Sequence, residues 1–338
     1  MSKHYLGHLP GHDPLHHYLQ YDILPQIGLD HHQATFRVFR LGGSNEVYLY
    51  EEKQSNVQVV GKFFAGNGHS GLHMPEKYQH MEQEFNNLHL MRSYGLVGYP
   101  HYVVRPLGCN GWLNSLLVEE YCGGQPLSNV ITDAILSRRP DRLFGKLTAL
   151  AFFLATFHNR TANGYGVNFH EDCAYLDRLV RKLSKKRCIS WDEVQEFSWL
   201  RDRWREQPRM WEDQQVLVHG DATPSNFLFG HGLSVIGIDL ERMKRADRVF
   251  DIGRITGELQ HFFLQMTGNK YAAEPFIGHF LWEYACHFPD RESAFRSISG
   301  RVPFQMGLTL LRIARNSWIS PDYRRRLIEE AKITLRTF

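Results

Sequence analysis

The fold of this chain is decided by a segment that reads VHGDATPSNFL over residues 218–228, followed by VIGIDLE over residues 235–241. Asn226 follows Asp221 by five residues, and Asp239 comes thirteen residues after Asn226. Short apolar runs, which are typical of strands, flank these polar side chains. Phosphoryl transfer requires positioning and charge neutralisation rather than covalent help. An acid, an amide and a second acid in this order indicate such a site.

Each of the three side chains suits one task in that chemistry. Asp221 can accept a hydrogen bond from a substrate hydroxyl and take its proton late in the reaction. Asn226 offers a neutral oxygen and Asp239 a charged oxygen to Mg²⁺, which prefers hard oxygen ligands and the phosphates of ATP. The alternative is that Asp221 and Asn226 merely cap a turn. The agreement of three residue types in order favours the reactive site.

The segment HGDATPSN resembles the HGDxxxxN catalytic loop of the aminoglycoside phosphotransferase and choline kinase superfamily, and Asp239 resembles the metal-binding Asp of that family. The resemblance covers about residues 36–266. It implies an α+β, two-lobed protein-kinase-like fold with a small antiparallel β-sheet lobe and a larger, mainly helical lobe. It also implies Mg²⁺-dependent transfer of the γ-phosphate of ATP, or of GTP, to a small-molecule hydroxyl. Sugars, nucleosides, amino alcohols and antibiotic-like compounds are candidate acceptors.

Two further segments are similar to the nucleotide-binding parts of that family. Gly42, Gly43, Ser44 and Asn45 resemble its phosphate loop, in which glycines let the backbone approach the phosphates. Lys62 lies among apolar residues on a predicted strand, where a lysine is costly unless it is paired. The resemblance implies that Lys62 binds the α- and β-phosphates and that a helix glutamate pairs with it. Glu84 fits that role best, and Glu82 is the rival; for Lys62 alone, a snorkelling surface lysine is the alternative.

The sequence EEYCGG at 119–124 resembles the hinge between kinase lobes. Backbone groups would bind adenine there, and the candidates are the carbonyl of Glu119 and the N–H of Tyr121. An apolar strand that ends in Gly-Gly has the same pattern. Asp251, at the start of a predicted helix, resembles a residue that holds the catalytic loop, although a helix N-cap is an alternative. His219 is expected to order the same loop.

Hydrophobic periodicity predicts five strands and one helix in the first half of the chain and mostly helices afterwards. The predicted strands span 36–41, 46–50, 57–64, 102–107 and 115–121, and the helix spans 76–94. Later helices are predicted at 128–138, 141–159, 173–187, 191–206, 247–266, 271–287, 302–317 and 321–336. Residues 36–124 are thus interpreted as the nucleotide-binding lobe and 125–338 as the helical lobe. Within the latter, residues 172–213 are interpreted as an insertion that walls the acceptor site.

Residues 1–35 contain seven histidines, several of them four residues apart. Such spacing suits metal binding on a helix. However, Gly7, Pro10, Gly11 and Pro14 interrupt a helical pattern. We therefore interpret these residues as a His-rich surface segment.

Composition excludes several classes of protein. The 338 residues carry a net charge of only +3, which gives no sign of a nucleic-acid or membrane partner. Five cysteines without CxxC spacing favour a reducing, cytoplasmic environment. The oligomeric state stays open.

The basic residues are concentrated late in the chain. Residues 296–338 hold nine basic and three acidic side chains. Relatives that phosphorylate aminoglycosides or choline tend to use acidic or aromatic acceptor sites late in the chain. The basic excess therefore favours a neutral or anionic acceptor, although a plain solvated surface explains it equally well.

Two other functions compete with small-molecule transfer. One is a kinase that acts on a protein or peptide hydroxyl. The other is a catalytically silent nucleotide-binding module, whose sequence mark would be loss of Lys62, Asp221, Asn226 or Asp239. All four are present.

Overall fold

The computed structural model describes residues 3–29, 33–42, 46–65, 74–137 and 139–338. The chain forms two compact units. The N-terminal unit comprises Met1–Gly98, Tyr102–Gly123 and Ile236–Glu241, and the C-terminal unit comprises Tyr99–His101, Gly124–Val235 and Arg242–Phe338. The short segment 236–241 thus joins the unit formed by the first part of the chain, and it carries Asp239 with it.

The N-terminal unit is built on an antiparallel sheet of six strands in the order β1-β2-β3-β4-β8-β7. The strands in this part of the chain are β1 (His4–His8), β2 (Phe36–Leu41), β3 (Glu46–Glu52), β4 (Gln58–Phe63), β5 (Val97–Gly98), β6 (His101–Val103), β7 (Pro106–Asn110) and β8 (Leu116–Glu120), and the helices are α1 (Pro14–Tyr18) and α2 (Met74–Ser93). The small antiparallel lobe predicted from the sequence is confirmed.

Two details of the predicted sheet are wrong. The sheet has six strands rather than five, because β1 pairs along the edge strand β2. The predicted strand at 102–107 is two strands, β6 and β7. At the break, the N–H of Arg105 donates to the side chain of Glu120 in β8 at 2.6 Å rather than to a backbone carbonyl.

The N-terminal segment is more than a surface feature, so that interpretation is wrong for its second half. Leu15, Leu19 and Ile23 are buried in one hydrophobic cluster with Phe36 of β2 and Val118 of β8. These three apolar residues recur every four positions, which is a helical signal. Pro14 does not break the pattern, because it lies in the first turn of α1, where its missing N–H is not needed.

The C-terminal unit is mainly helical. Its helices are α3 (Leu127–Ser137), α4 (Pro140–Thr161), α5 (Phe169–Lys185), α6 (Trp191–Arg205), α7 (Val249–Thr267), α8 (Glu274–Ala285), α9 (Arg291–Ala314) and α10 (Pro321–Leu335). The strands in this part of the chain are β9 (Gln125–Pro126), β10 (Val216–Val218), β11 (Phe227–Phe229), β12 (Val235–Gly237) and β13 (Lys244–Ala246). All eight predicted helices are present. The prediction for α9 began too late, because its helix continues through Pro303.

The predicted insertion folds as the helix pair α5 and α6 on a large hydrophobic core. Leu176, Leu179 and Leu183 of α5 pack in this core with residues of α9 and α10. Trp204 of α6 is fully buried, and its indole Nε1 donates to the carbonyl of Leu335 at 2.8 Å. None of the helices in the described part of the chain has the length and apolar character that a transmembrane span requires.

Candidate active site

The N-terminal unit contains a buried cluster of charges around Lys62 of β4. Lys62 Nζ lies 2.6 Å from Oε2 of Glu84 and 2.6 Å from Oδ1 of Asp239, with Oε2 of Glu241 at 4.0 Å. Both Lys62 and Glu84 are buried. Burial lowers the pKa of Lys62, but the carboxylates of Glu84, Asp239 and Glu119 more than offset it and raise that pKa above its usual range. Lys62 is therefore a permanent cation in this cluster.

Helix α2 supplies the acidic partner of Lys62 and holds the 239–241 segment. Glu84 makes the ion pair, whereas Glu82, the rival glutamate, accepts a hydrogen bond from Tyr78 Oη at 2.6 Å. Asn87, one turn after Glu84, donates from Nδ2 to the carbonyl of Leu240 at 2.8 Å. Asp239 has a φ of 65°, in the left-handed region that aspartate tolerates better than most residues. This conformation is typical of functional positions.

The hinge prediction meets two findings at β8. The N–H of Tyr121 donates to the carbonyl of Gln58 at 3.3 Å, which counts against its assignment to adenine. The Glu119 carbonyl stays a prediction. The side chain of Glu119 was not anticipated: it is buried, and burial raises its pKa to about 7 against the opposing attraction of Lys62.

The phosphate-loop prediction falls mostly outside the described residues. Gly42 is described, and apart from its chain neighbours no described residue would come within 4 Å of a Cβ added there. Gly43, Ser44 and Asn45 lie outside the described residues.

In the C-terminal unit, the loop predicted to be catalytic, which contains Asp221, follows β10 and turns sharply at Gly220. The φ of Gly220 is +80°, and a Cβ there would lie 1.9 Å from the carbonyl oxygen of Arg242, so only glycine fits. Buried Asp251 accepts the N–H of His219 at 2.6 Å and that of Gly220 at 3.1 Å. His158 Nε2 lies 3.1 Å from the same carboxylate. The expectation that Asp251 holds the catalytic loop is confirmed.

Asn226 closes the loop that begins at Asp221. Its Nδ2 donates to the backbone carbonyl of Asp221 at 2.9 Å, and the loop ends in a 3₁₀ turn over Pro224–Asn226. This bond fixes the amide so that Oδ1, which accepts from Ser225 Oγ at 3.3 Å, is the atom left for a metal. The turn-capping alternative and the metal-ligand prediction are thus compatible for Asn226.

The residues predicted to bind Mg²⁺ have a suitable donor chemistry. Asp239, Glu84 and Glu241 present carboxylate oxygens within 4.8 Å of one another, and Asn226 presents an amide oxygen. One oxygen of Glu84, Oε1, is buried and has no hydrogen-bond partner within the described residues. Hard oxygen donors of this kind suit Mg²⁺. Glu241, two residues after Asp239, also lies in this group.

Three arginines surround the carboxylate of Asp221, and the sequence analysis did not predict them. The Nη1 atoms of Arg242, Arg254 and Arg312 lie 3.8, 3.9 and 3.7 Å from its oxygens. Arg312 also pairs with Glu258. The available signal was Arg312 itself, which lies between apolar pairs in LLRIA over 310–314, the same pattern that marked Lys62.

Comparisons with known proteins agree with this geometry. A family model described as the phosphotransferase enzyme family matches residues 35–280, more than two thirds of the chain. The chain belongs to the phosphotransferase enzyme family. It is an enzyme, and members of this family act as small-molecule kinases on hydroxyl groups. No curated protein matches the sequence.

Several solved structures share the fold at low sequence identity. An ethanolamine kinase of Plasmodium vivax has a TM-score of 0.60 at 13% identity, over 90% of this chain and 84% of that one. The ADP-bound aminoglycoside phosphotransferase APH(2'')-Ib has a TM-score of 0.57 at 12% identity, over 96% and 97%. The GDP complex of aminoglycoside 2'-phosphotransferase-IIIa has a TM-score of 0.54 at 18% identity, over 95% and 99%. The two-lobed kinase-like fold predicted from the sequence is confirmed.

Proposed function

We propose that this phosphotransferase uses ATP with Mg²⁺ and transfers the γ-phosphate to a hydroxyl of a small molecule. The acceptor oxygen forms a bond to the γ-phosphorus, the bond from that phosphorus to the β–γ bridging oxygen breaks, and ADP leaves. The hydroxyl proton passes to the carboxylate of Asp221. Mg²⁺, when bound, neutralises charge on the phosphates.

The observation that carries the proposal is the ion pairing of buried Lys62 with both Glu84 and Asp239. Two acidic side chains hold the ammonium group of the lysine in one position, which suits contact with phosphate oxygens. Its raised pKa keeps the lysine cationic. Glu84 fixes the lysine. Asp239 and Asn226 would supply oxygen ligands to the metal, and Gly42–Asn45 would contact phosphates. These roles follow the family resemblance, residue by residue.

The nucleotide assignment is tested by thermal unfolding with ATP, GTP and ADP, each with and without Mg²⁺. A ligand that binds only the folded state raises the melting temperature by mass action. We expect a Mg²⁺-dependent rise with ATP that Asp239→Ala abolishes. A rise with GTP alone would reassign the phosphate donor, and an unchanged rise in Asp239→Ala would reassign the metal ligand.

The role of Asp221 is tested by ADP release in the presence of acceptors. Asp221→Asn should lower kcat by about 10²–10⁴-fold, because it removes the proton acceptor. The Mg·ATP thermal shift should persist, because the Lys62 cluster belongs to the N-terminal unit. Asp141→Asn, an exposed acid in the first turn of α4, is the matched control. Wild-type turnover in Asp221→Asn would refute the mechanism.

A further inference from the structure

The arginines around Asp221 are not explained by phosphoryl transfer to a cationic compound. Arg242, Arg254 and Arg312 each place a guanidinium nitrogen 3.7–3.9 Å from the Asp221 carboxylate, beyond hydrogen-bond distance. They also belong to the same unit as Asp221. Whatever presents its hydroxyl to Asp221 therefore meets three positive charges.

Two of these arginines have donors that the protein does not satisfy. Arg254 is only 5% exposed, and within the described part of the chain its Nη1 has no hydrogen-bond partner. The same holds for Nε of Arg312, whose Nη2 bonds Glu258. Buried charged donors without partners are costly, which indicates that a ligand completes them.

The charge of the cluster remains positive when its acids are counted. Three arginines face two carboxyl groups, those of Asp221 and Glu258, so the formal net charge of the cluster is +1. Burial raises the pKa of Glu258 against the opposing attraction of Arg312 and Arg254, and burial together with Arg312 lowers the pKa of Arg254.

The packing of α7 against α9 builds the cluster. Gly253 and Gly257, one turn apart on α7, allow α9 to approach closely. A Cβ added at Gly253 would lie 2.2 Å from Gln305, and one added at Gly257 would lie 2.7 Å from Thr309. Arg254 follows Gly253 on α7, and Arg312 lies one turn after Thr309 on α9. The positions of both arginines are therefore set by helix packing rather than by surface exposure.

Other late basic residues are engaged elsewhere. Arg301 pairs with Asp213 and Asp247, and Arg325 and Lys332 pair with Glu193. Most of the basic excess at the end of the chain thus has structural partners. Arg312 is the member of that set that reaches Asp221.

We propose that Arg254 and Arg312, together with Arg242, form an anion subsite beside Asp221, and that the acceptor is a hydroxyl compound carrying a carboxylate or phosphate group. This inference rests on the proposed phosphotransferase function. The guanidiniums bind the anionic oxygens of the acceptor, and this contact places its hydroxyl at Asp221. An acceptor with a positive charge, such as an amino alcohol, is disfavoured by the same charges.

The first test measures anion binding without nucleotide. Inorganic phosphate is titrated at constant ionic strength and followed by thermal unfolding, in wild type, Arg254→Gln, and the double variant Glu258→Gln/Arg312→Gln, which removes both partners of that ion pair. Arg296→Gln, exposed on the same helix α9, is the control. We expect wild type and control to be stabilised and the apparent affinity of the other two to fall by about tenfold or more. No stabilisation of wild type, or equal stabilisation of all four, would overturn the subsite.

The second test compares acceptors that differ in charge, with ADP release as the readout. The pairs are glycerol with glycerate and glucose with glucose 6-phosphate, and choline is the cationic probe. We expect wild type to prefer the anionic member by about tenfold or more in kcat/KM and the arginine variants to lose that preference. Release of ADP to water, which needs no acceptor, is measured in the same variants. An equal fall in that hydrolysis would show that the arginines serve the transferred phosphoryl group instead.

The two tests separate this inference from the proposed function. Turnover of neutral or cationic compounds without anionic preference would refute the inference and leave the phosphotransferase function intact. Arginine-dependent phosphate binding without transfer from any nucleotide would refute the proposed function. If Arg254→Gln does not fold, both tests are done with the double variant. Arg312 is 14% exposed, and this variant replaces its partner Glu258 at the same time, so no unpaired charge is left.

Discussion

A single methyl group added at Gly220 should lower both the stability of the fold and the rate of catalysis. In Gly220→Ala the new Cβ would lie 1.9 Å from the carbonyl oxygen of Arg242 and 2.6 Å from its carbonyl carbon. Non-bonded atoms prefer separations near 3.5 Å, so the two segments must move apart by more than about 1 Å. The displaced segment is the one that holds Asp221.

The magnitude has two parts. A left-handed alanine costs about 1–2 kcal/mol. Relief of the overlap adds about 1–3 kcal/mol. The control is Gly164→Ala in the same unit, where φ is +76°. Apart from the chain neighbours, no described residue lies within 4 Å of the added Cβ, so this variant has only the cost of the left-handed alanine.

Thermal unfolding and ADP release measure the two consequences. We expect Gly164→Ala to lower the melting temperature by about 2–4 °C per kcal/mol lost, with unchanged kcat. Gly220→Ala should lower it further and reduce kcat by about 10²-fold, because a 1 Å misplacement of a catalytic group has an effect of that size. The Mg·ATP thermal shift should persist in both. Equal melting temperatures and equal kcat in the two variants would refute the reasoning.

Three further predictions concern charged side chains that are wholly or partly buried. Burial, partly opposed by Lys244, raises the pKa of Asp172 to about 7. As pH rises, this carboxyl group therefore ionises in the unfolded chain before it ionises in the folded protein, and wild type loses stability between about pH 4 and 7. Urea unfolding should show Asp172→Asn gaining on wild type across that range, by an amount of order 4 kcal/mol at pH 7; a constant difference would contradict the burial argument. Although burial opposes it, hydrogen bonds from Arg325, the Ser190 N–H and Lys332 lower the pKa of Glu193 to about 2. The deficit of Glu193→Gln should therefore be full above about pH 4.5 and vanish toward pH 2, and a deficit independent of pH would argue against it. Lys62→Met leaves Glu84 buried and unpaired and should cost about 3–5 kcal/mol of unfolding free energy, whereas exposed Lys53→Met should change it by less than about 0.5 kcal/mol; similar values for both would mean that the ion pair contributes little.

The nucleotide side of the site was predictable because its signals are local. Lys62 could be recognised because it lies among apolar residues in the sequence. On α2, Glu84 is the acidic residue whose side chain pairs with Lys62. The β-rich runs on either side of residues 42–45 predict two paired strands, and the observed register of β2 and β3 pairs Phe36 with Glu52 through Leu41 with Val47. Such features need no knowledge of the distant parts of the chain.

Features set by distant contacts were missed. Strand β1 carries exposed side chains and few apolar ones, so nothing in its own sequence marks it; it is a strand because the edge of β2 offers backbone partners. The left-handed φ of Asp239 is likewise invisible in the residue itself. The Tyr121 N–H was assigned to adenine on local spacing alone, and its bond to Gln58 depends on the pairing of β4 with β8.

At the arginine cluster, one helix, α7, combines a local sequence pattern with contacts to distant segments of the chain. Asp251, Arg254 and Glu258 recur on α7 at spacings of three and four, so they share one face. On that face Asp251 holds the backbone of the catalytic loop, Arg254 approaches the carboxylate of Asp221, and Glu258 pairs with Arg312. Asp251 and Arg254 lie on the same helix, so α7 relates the position of the loop that holds Asp221 to the position of Arg254. Under the proposal of an anion subsite, the acceptor carries its anionic group close to the hydroxyl that is phosphorylated.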